Sequence, residues 1–233
     1  MSTVVPENRM LTSLPAADQA RVLARTTEVT FGQKELLYRA GGPIDFVYLP
    51  RAGIISAIVV MDDGASTEVA TTGREGIVGV AAALGATASA ERVFCQVYPA
   101  TCRRMPTAEF VAEFERGGAL RDLVYRYLRA TLIVSARQTA CNALHSVDER
   151  CARWLLQCHD ACGSDEFPLT HEFLSAMLGV RRATVTVTAK NLQNAGLISY
   201  KYGRITIMDR ARLEETSCEC YAAIRSALRI AAN

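Results

Sequence analysis

The stretch from Leu169 to Met208 constrains this chain more than any other, because two short helical patterns, a glycine break and a pair of apolar runs fall within 40 residues. Thr170 precedes a first helix with Phe173, Leu174 and Met177 on its apolar side, and its hydroxyl is placed to accept a free backbone N–H of the first turn. Leu178-Gly179-Val180 breaks that helix, glycine being the residue that takes a left-handed backbone without steric cost. Arg181-Arg182-Ala183-Thr184 then opens a second helix. Val185, Ala189 and Leu192 recur in it as a buried stripe, while Thr184, Thr188 and Lys190 are left to face outward. Asn194-Ala195-Gly196 ends it, and Leu197-Ile198 and Ile205-Thr206-Ile207 flank Lys201, Tyr202, Gly203 and Arg204 as a hairpin with a cationic tip. Two helices at a sharp turn with a hairpin beside them make a winged helix-turn-helix, whose second helix reads the DNA major groove.

Local propensity opposes this at one point. Thr184-Val185-Thr186-Val187-Thr188 is β-branched throughout and taken alone reads as a strand. The glycine turn before it, Lys190 to Asn194 after it and the apolar spacing favour a helix that tertiary packing must impose.

Charge supports a nucleic-acid partner locally. The whole chain has 26 Lys plus Arg against 24 Asp plus Glu, a balance that implies no polyanion. Between Pro168 and Arg212, however, seven cations (Arg181, Arg182, Lys190, Lys201, Arg204, Arg210, Arg212) face two anions (Glu172, Asp209), a net of +5. Such a module has the footprint of phosphate binding. Thr170, Arg181, Arg182, Thr184, Thr188, Lys190, Lys201 and Arg204 are therefore the candidate contacts to double-stranded DNA.

With 233 residues, 50% of them apolar and 21% charged, one large or two modest domains with a real core are expected. No run is apolar enough to span a bilayer, so no membrane partner is expected. Met1–Asn8 lacks the basic and apolar regions of a secretory signal. The expected location is cytoplasmic, where the eight cysteines would remain free thiols.

Upstream, Pro15 to Arg25 reads as a short amphipathic helix. From Val29 to Pro106 brief apolar runs alternate with turns: Leu36-Leu37-Tyr38, Phe46 to Leu49, Ile54 to Met61, Thr67 to Thr71 and Arg92 to Val97, separated by Gly41-Gly42-Pro43, Asp62-Asp63-Gly64 and Gly73-Arg74-Glu75-Gly76. That spacing predicts an antiparallel barrel or roll. A helix follows from about Leu120 to Cys141, with Leu120, Leu123, Val124, Tyr127, Leu128, Thr131 and Val134 as a near-heptad stripe. Asn142 to Ser146 interrupts it, and Val147 to Ala161 is a further helix carrying Trp154, Leu155 and Cys158. The fold class is thus α+β: an antiparallel β-roll over residues 1–118, a long helix and hinge over 119–145, and a winged helix-turn-helix over 146–233.

A roll, a long helix and a winged helix-turn-helix in this order resemble the Crp/Fnr family of bacterial transcription regulators. The likeness is carried by Leu36-Leu37-Tyr38-Arg39-Ala40-Gly41 leading to Val47-Tyr48-Leu49, by Gly73-Arg74-Glu75-Gly76-Ile77-Val78-Gly79, and by Leu169 to Ile198. It implies a cyclic-nucleotide-binding-like roll that takes a small effector, a homodimer paired along Leu120, Leu123, Val124, Tyr127, Leu128, Thr131 and Val134, a palindromic DNA site, and RNA polymerase as a further partner. The candidate effector pocket is Gly76, Gly79, Val80, Arg92 and Ser135.

The chain departs from the family where cyclic nucleotide would bind. The glycine of the ribose-holding pair aligns with Gly79, but Val80 replaces the glutamate, and Ser89-Ala90 stands where an arginine would meet the cyclic phosphate. Valine accepts no hydrogen bond from a ribose hydroxyl, and a missing cation leaves the phosphate unpaired. Arg92 is the nearest substitute, by a register slip, although as a strand residue it reads first as a surface side chain. In the second helix Arg182, Ala183 and Val187 stand where the best-known members carry arginine, glutamate and arginine, so a different half-site is expected.

No cysteine precedes Cys95, so the N-terminal iron–sulfur cluster of oxygen-sensing relatives is not expected, and neither is any other cofactor. The cysteines read first as small buried hydrophobes. The alternative is a thiol- or metal-based sensor in which Cys158 and Cys162 meet Cys218 and Cys220, should the C-terminal helix fold back. His145, His159 and His171 accompany no nucleophile pattern, and Gly73 to Gly79 opens no helix, so an enzyme is not expected.

Overall fold

The computed structural model describes residues 6–232; residues 1–5 of the segment read for a signal, and Asn233 of the C-terminal domain, lie outside it. Two short helices, α1 (Arg9–Thr12) and α2 (Ala16–Leu23), lead into seven strands: β1 (Thr27–Phe31), β2 (Leu36–Tyr38), β3 (Phe46–Pro50), β4 (Ile54–Val60), β5 (Ser66–Thr72), β6 (Arg92–Val97) and β7 (Ala100–Pro106). They form two antiparallel sheets, ordered β1-β7-β3 and β2-β6-β4-β5. The five expected strands are β2 to β6. β7, which carries the charged pair Arg103-Arg104, has no clear apolar alternation, yet it pairs with both β1 and β3 and so builds the first sheet.

Aromatic side chains close the middle of the roll. The Tyr48 ring lies 5.5 Å from Phe31, 5.7 Å from Tyr38 and 6.3 Å from Phe46, and Tyr38 donates its hydroxyl hydrogen bond to the Phe46 carbonyl. Such tilted and edge-on contacts add to the apolar burial of each ring.

Helix α3 (Thr107–Glu115) leads to α4 (Ala119–Leu144) and α5 (Val147–Cys162). Only His145 and Ser146 separate the last two, a tighter break than the expected Asn142–Ser146. Ser146 and Glu149 form a reciprocal cap: the Ser146 hydroxyl accepts from the Glu149 N–H at 3.3 Å, and the Glu149 carboxylate accepts from the Ser146 N–H at 2.8 Å.

The stripe expected to pair two subunits faces the chain's own roll. Leu120, Leu123, Val124 and Tyr127 are buried there, Leu128 packs on the same cluster, and Thr131 and Val134 are half-buried. The stripe's spacing marks a buried face without saying what buries it. Tyr125, Leu132, Ile133, Ala136, Ala140, Ala143 and Leu144 lie exposed on the opposite side, Leu132 at 73% and Leu144 at 80%.

The C-terminal part comprises β8 (Glu166–Pro168), α6 (His171–Leu178), α7 (Arg182–Asn194), β9 (Ile198–Lys201), β10 (Arg204–Ile207), α8 (Arg210–Thr216) and α9 (Cys220–Ala232). Its sheet is ordered β8-β10-β9, the expected hairpin plus β8. α9 returns antiparallel along α4: Cys218 at its start touches Cys141, and Arg126 Nε donates to the Ala231 carbonyl at 3.5 Å.

The two parts are docked on each other. Phe173 of α6 meets Phe94 of β6 edge-on at 5.6 Å, and Gly73 lets its turn approach α5 so closely that a Cβ there would lie 2.6 Å from the Ala161 methyl. Trp154 Nε1–H donates to the half-buried Glu68 carboxylate at 2.7 Å, and burial pushes the Glu68 pKa up against hydrogen bonds from Ser56 and Trp154. Trp154→Phe keeps most of the buried ring but strips that carboxylate of a donor. The expected loss is about 1–3 kcal/mol of unfolding free energy, read by urea denaturation; an unchanged midpoint would remove this contact from the docking energy.

Candidate nucleic-acid interface

Thr170 caps α6, its hydroxyl accepting from the Phe173 N–H at 3.2 Å, and Gly179 ends the helix with φ +62°. α7 follows at once. Val185, Ala189 and Leu192 are buried against Leu174, Leu178 and α5, and this burial holds the β-branched run helical. The wing turns through Tyr202 and Gly203, both at positive φ, which is the two-residue turn that matches strand twist. The Leu169 N–H donates to the Gly203 carbonyl at 2.8 Å and keeps the wing beside Thr170.

One exposed face results. Arg181, Arg182 and Lys190 on α7 and Lys201 on the wing are exposed, Thr170 is exposed, and Thr184 is half-buried among them. Among the described residues, Arg181, Arg182, Lys190 and Lys201 form no ion pair with a carboxylate. Arg204 differs, because its guanidinium is paired with Glu166 of the neighbouring strand β8. Arg210 is held by Asp160 at 2.8 Å and Glu214 at 2.7 Å, away from this face.

Thr188 corrects an expectation. It is buried, and its hydroxyl donates to Asp148 at 2.5 Å, with Asn191 donating to the other Asp148 oxygen at 2.9 Å. Thr188 lies three residues after Val185 and so on the buried side of α7, where it ties the helix to the first turn of α5. Val187, 60% exposed, keeps the outward place already compared with a family arginine, and fully exposed Tyr202 belongs to the outer face without having been among the candidates. Position would have found Tyr202, a turn residue between two cations. His171 stacks on Tyr200 at 4.6 Å; burial, then the nearby Arg182 charge, lowers its pKa.

The candidate effector residues do not converge. Gly76 and Gly79 are packing glycines: a Cβ would stand 2.6 Å from the Tyr127 hydroxyl of α4 at the first and closer still to the Tyr38 hydroxyl at the second. Val80 starts a short 3-10 turn beside them. Arg92 points outward, its guanidinium 6.0 Å from the Phe94 ring in the groove against α6, and Ser135 is exposed on α4. Arg92 takes the surface place that its strand position favoured, while Ser135 was expected in the pocket from its place along the helix, which does not give the side it faces. A cleft of about 830 Å³ opens instead between α1, α5 and α9, where Arg9, Glu75, Asp160, Arg225 and Arg229 line it.

The cysteine pairing also differs. Cys158 is fully buried, and burial holds its thiol far above the usual range; burial likewise pushes half-buried Cys162 up to about 12. Neither meets Cys218 or Cys220. The C-terminal helix does fold back, but onto the end of α4, where those two cysteines lie with Cys141 and His145.

Comparison with known proteins gives the same two parts. The cyclic nucleotide-binding domain model matches residues 28–116 and the Crp-like helix-turn-helix domain model residues 149–216, together more than half of the chain. No curated protein matches the sequence. Among solved structures, FixK2 from Bradyrhizobium japonicum is similar with a TM-score of 0.70 at 15% identity, over 83% of this chain and 98% of that one. The c-di-GMP-responsive regulator CLP of Xanthomonas campestris aligns with a TM-score of 0.67 at 17% identity, over 84% and 100%. A Crp/Fnr-family regulator from Eubacterium rectale gives 0.65 at 17%, over 90% and 99%. With both domain types on one chain in this order, the protein belongs to the Crp/Fnr family of DNA-binding transcription regulators.

Proposed function

We propose that the protein is a cytoplasmic homodimer that reads a palindromic DNA site through α7 and the wing, under control of a small effector other than a cyclic nucleotide. The observation that carries this reading is the set of exposed cations without carboxylate partners, Arg181, Arg182, Lys190 and Lys201, on one face of the helix-turn-helix. Thr170 and Thr184 add hydrogen-bonding groups at its edge, and Arg204 joins when phosphate competes with Glu166. The working division is a sensor roll over 1–118, a pairing helix and hinge over 119–145 and a DNA-binding domain over 146–233. The seam of the dimer is the exposed side of α4, from Leu132 through Ala136 and Ala140 to Leu144, whose small residues allow a second helix to approach closely. The family reading brings RNA polymerase as a further partner and assigns no catalytic step.

Cyclic nucleotide fits poorly. Val80 offers no acceptor for a ribose hydroxyl, and buried Ser89 already spends its hydroxyl on the Glu91 carbonyl at 2.9 Å. A lost charge-assisted phosphate pair and an unmet hydroxyl together cost about 3–6 kcal/mol, or roughly two to four decades of affinity. The open cleft at α9 leaves room for a different small effector. The test is selection of bound duplexes from a randomised pool by the full chain, with and without cyclic AMP or cyclic GMP, beside calorimetric titration of both. An inverted repeat, the same in every arm, and no micromolar heat are expected. Micromolar binding with a matching gain in DNA affinity overturns the effector reading, and a pool without two-fold symmetry overturns the dimeric one.

A further inference from the structure

We propose that Cys141, His145, Cys218 and Cys220 form a tetrahedral site for a divalent transition-metal ion, zinc first of all, which clamps α9 to the end of α4. The site is independent of which DNA the protein reads. Cys141 and His145 stand four residues apart at the end of α4 and share one face, while Cys218 and Cys220 flank the start of α9. Folding brings them together from 77 residues apart in the chain.

The geometry fits a single ion. Tetrahedral zinc with Zn–S near 2.3 Å holds its sulfurs about 3.8 Å apart, and an imidazole nitrogen slightly closer. Here Cys141 Sγ lies 3.5 Å from Cys218 Sγ, Cys220 Sγ lies 3.7 Å from His145 Nδ1, and all four ligand atoms fall within 4.8 Å of one another. An iron–sulfur cluster spreads its ligands further, since they are divided among two irons in [2Fe–2S] or four in [4Fe–4S]. A disulfide between Cys141 and Cys218 would leave Cys220 and His145 converging on the same point without a role.

Two features around the four residues support the assignment. His145 turns Nδ1 to the sulfurs and Nε2 to Glu219, whose carboxylate oxygen is 3.2 Å away; a carboxylate on the far nitrogen of a ligating histidine is the arrangement that fixes its tautomer. Three thiolates on a divalent ion also leave one negative charge, and two guanidiniums lie buried on the first turns of α5, the helix that follows His145 and Ser146 directly. Arg150 and Arg153 are 9% and 5% exposed; Arg150 donates to the Leu178 carbonyl and Arg153 to the Gln157 side-chain oxygen at 2.7 Å, while among the described residues neither forms an ion pair with a carboxylate and the Nε of each has no hydrogen-bond partner. A buried cation with an unfilled N–H is costly, and an anionic metal centre offsets part of that cost.

The full chain, purified reduced and metal-free, is titrated with Zn²⁺ against a chromogenic chelator and in parallel with Co²⁺. One zinc per chain and a tetrahedral cobalt spectrum with thiolate charge-transfer bands are expected. Cys141→Ser and Cys220→Ser lower zinc affinity more than about 100-fold, and Glu219→Gln about 10- to 100-fold. Cys162→Ser, outside the cluster, leaves it unchanged. Should the serine variants misfold, X-ray absorption at the zinc edge of the unmodified protein must still give three sulfurs and one nitrogen. Substoichiometric zinc, octahedral cobalt, an equal loss in Cys162→Ser, or a Cys141–Cys218 disulfide in anaerobically isolated protein overturns the proposal.

Discussion

Arg181 and Arg182 replaced together by alanine should cost about 2–4 kcal/mol of specific DNA binding, or roughly 30- to 700-fold in Kd. Both side chains are exposed where α7 begins, the end that points at base edges and phosphates when a recognition helix enters the major groove. Taking away a cation that neutralises a phosphate also lowers the slope of log K against log salt by about one, so the slope should flatten by about 1–2. Thr188→Ala separates DNA binding from folding: its hydroxyl serves Asp148 inside the domain, so that variant should lose stability while the salt slope stays the same. Gel-shift titration across salt concentrations reads all of this, and unchanged affinity and slope in the double-arginine variant would falsify the recognition-helix assignment.

Leu132→Glu should convert the protein to monomers while leaving its fold intact. Leu132 is 73% exposed in the single chain, so a glutamate there meets water until a second α4 covers it. In a symmetric dimer the substitution buries two unpaired charges at once, and at about 3–5 kcal/mol each that is more than four decades in the dimer constant. Leu123→Glu should behave differently. Leu123 is 1% exposed inside the roll cluster, so its charge destabilises the chain itself, monomer or dimer. Sedimentation velocity with circular dichroism distinguishes the two, and an intact Leu132→Glu dimer would move the seam elsewhere.

Both substitutions turn on what a spacing leaves open. The α4 stripe at Leu120, Leu123, Val124 and Tyr127 was legible as a buried face, because burial writes itself into helical periodicity. Its partner was not, because the roll and a second subunit ask for the same apolar side chains. The face left exposed, with Leu132 and its alanines, carries a weaker pattern and was read past. Ser135 failed for the same kind of reason: its place along α4 was given, and only packing set the side it faces.

The winged helix-turn-helix was readable from sequence alone because its signals are local: the Thr170 cap, the left-handed Gly179, the Val185–Ala189–Leu192 stripe and the two-residue turn at Tyr202-Gly203 each act within a few residues. The five strands β2 to β6 were readable from apolar runs between turns, but β7, which pairs on both sides, was not. Tertiary structure alone decided that Thr188 turns inward to Asp148 and that Gly76 and Gly79 make room for tyrosines. It alone brought Cys218 and Cys220 to Cys141 and His145 instead of Cys158 and Cys162. Those outcomes depend on packing between residues tens of positions apart, and periodicity within one element carries no information about which other element will lie against it.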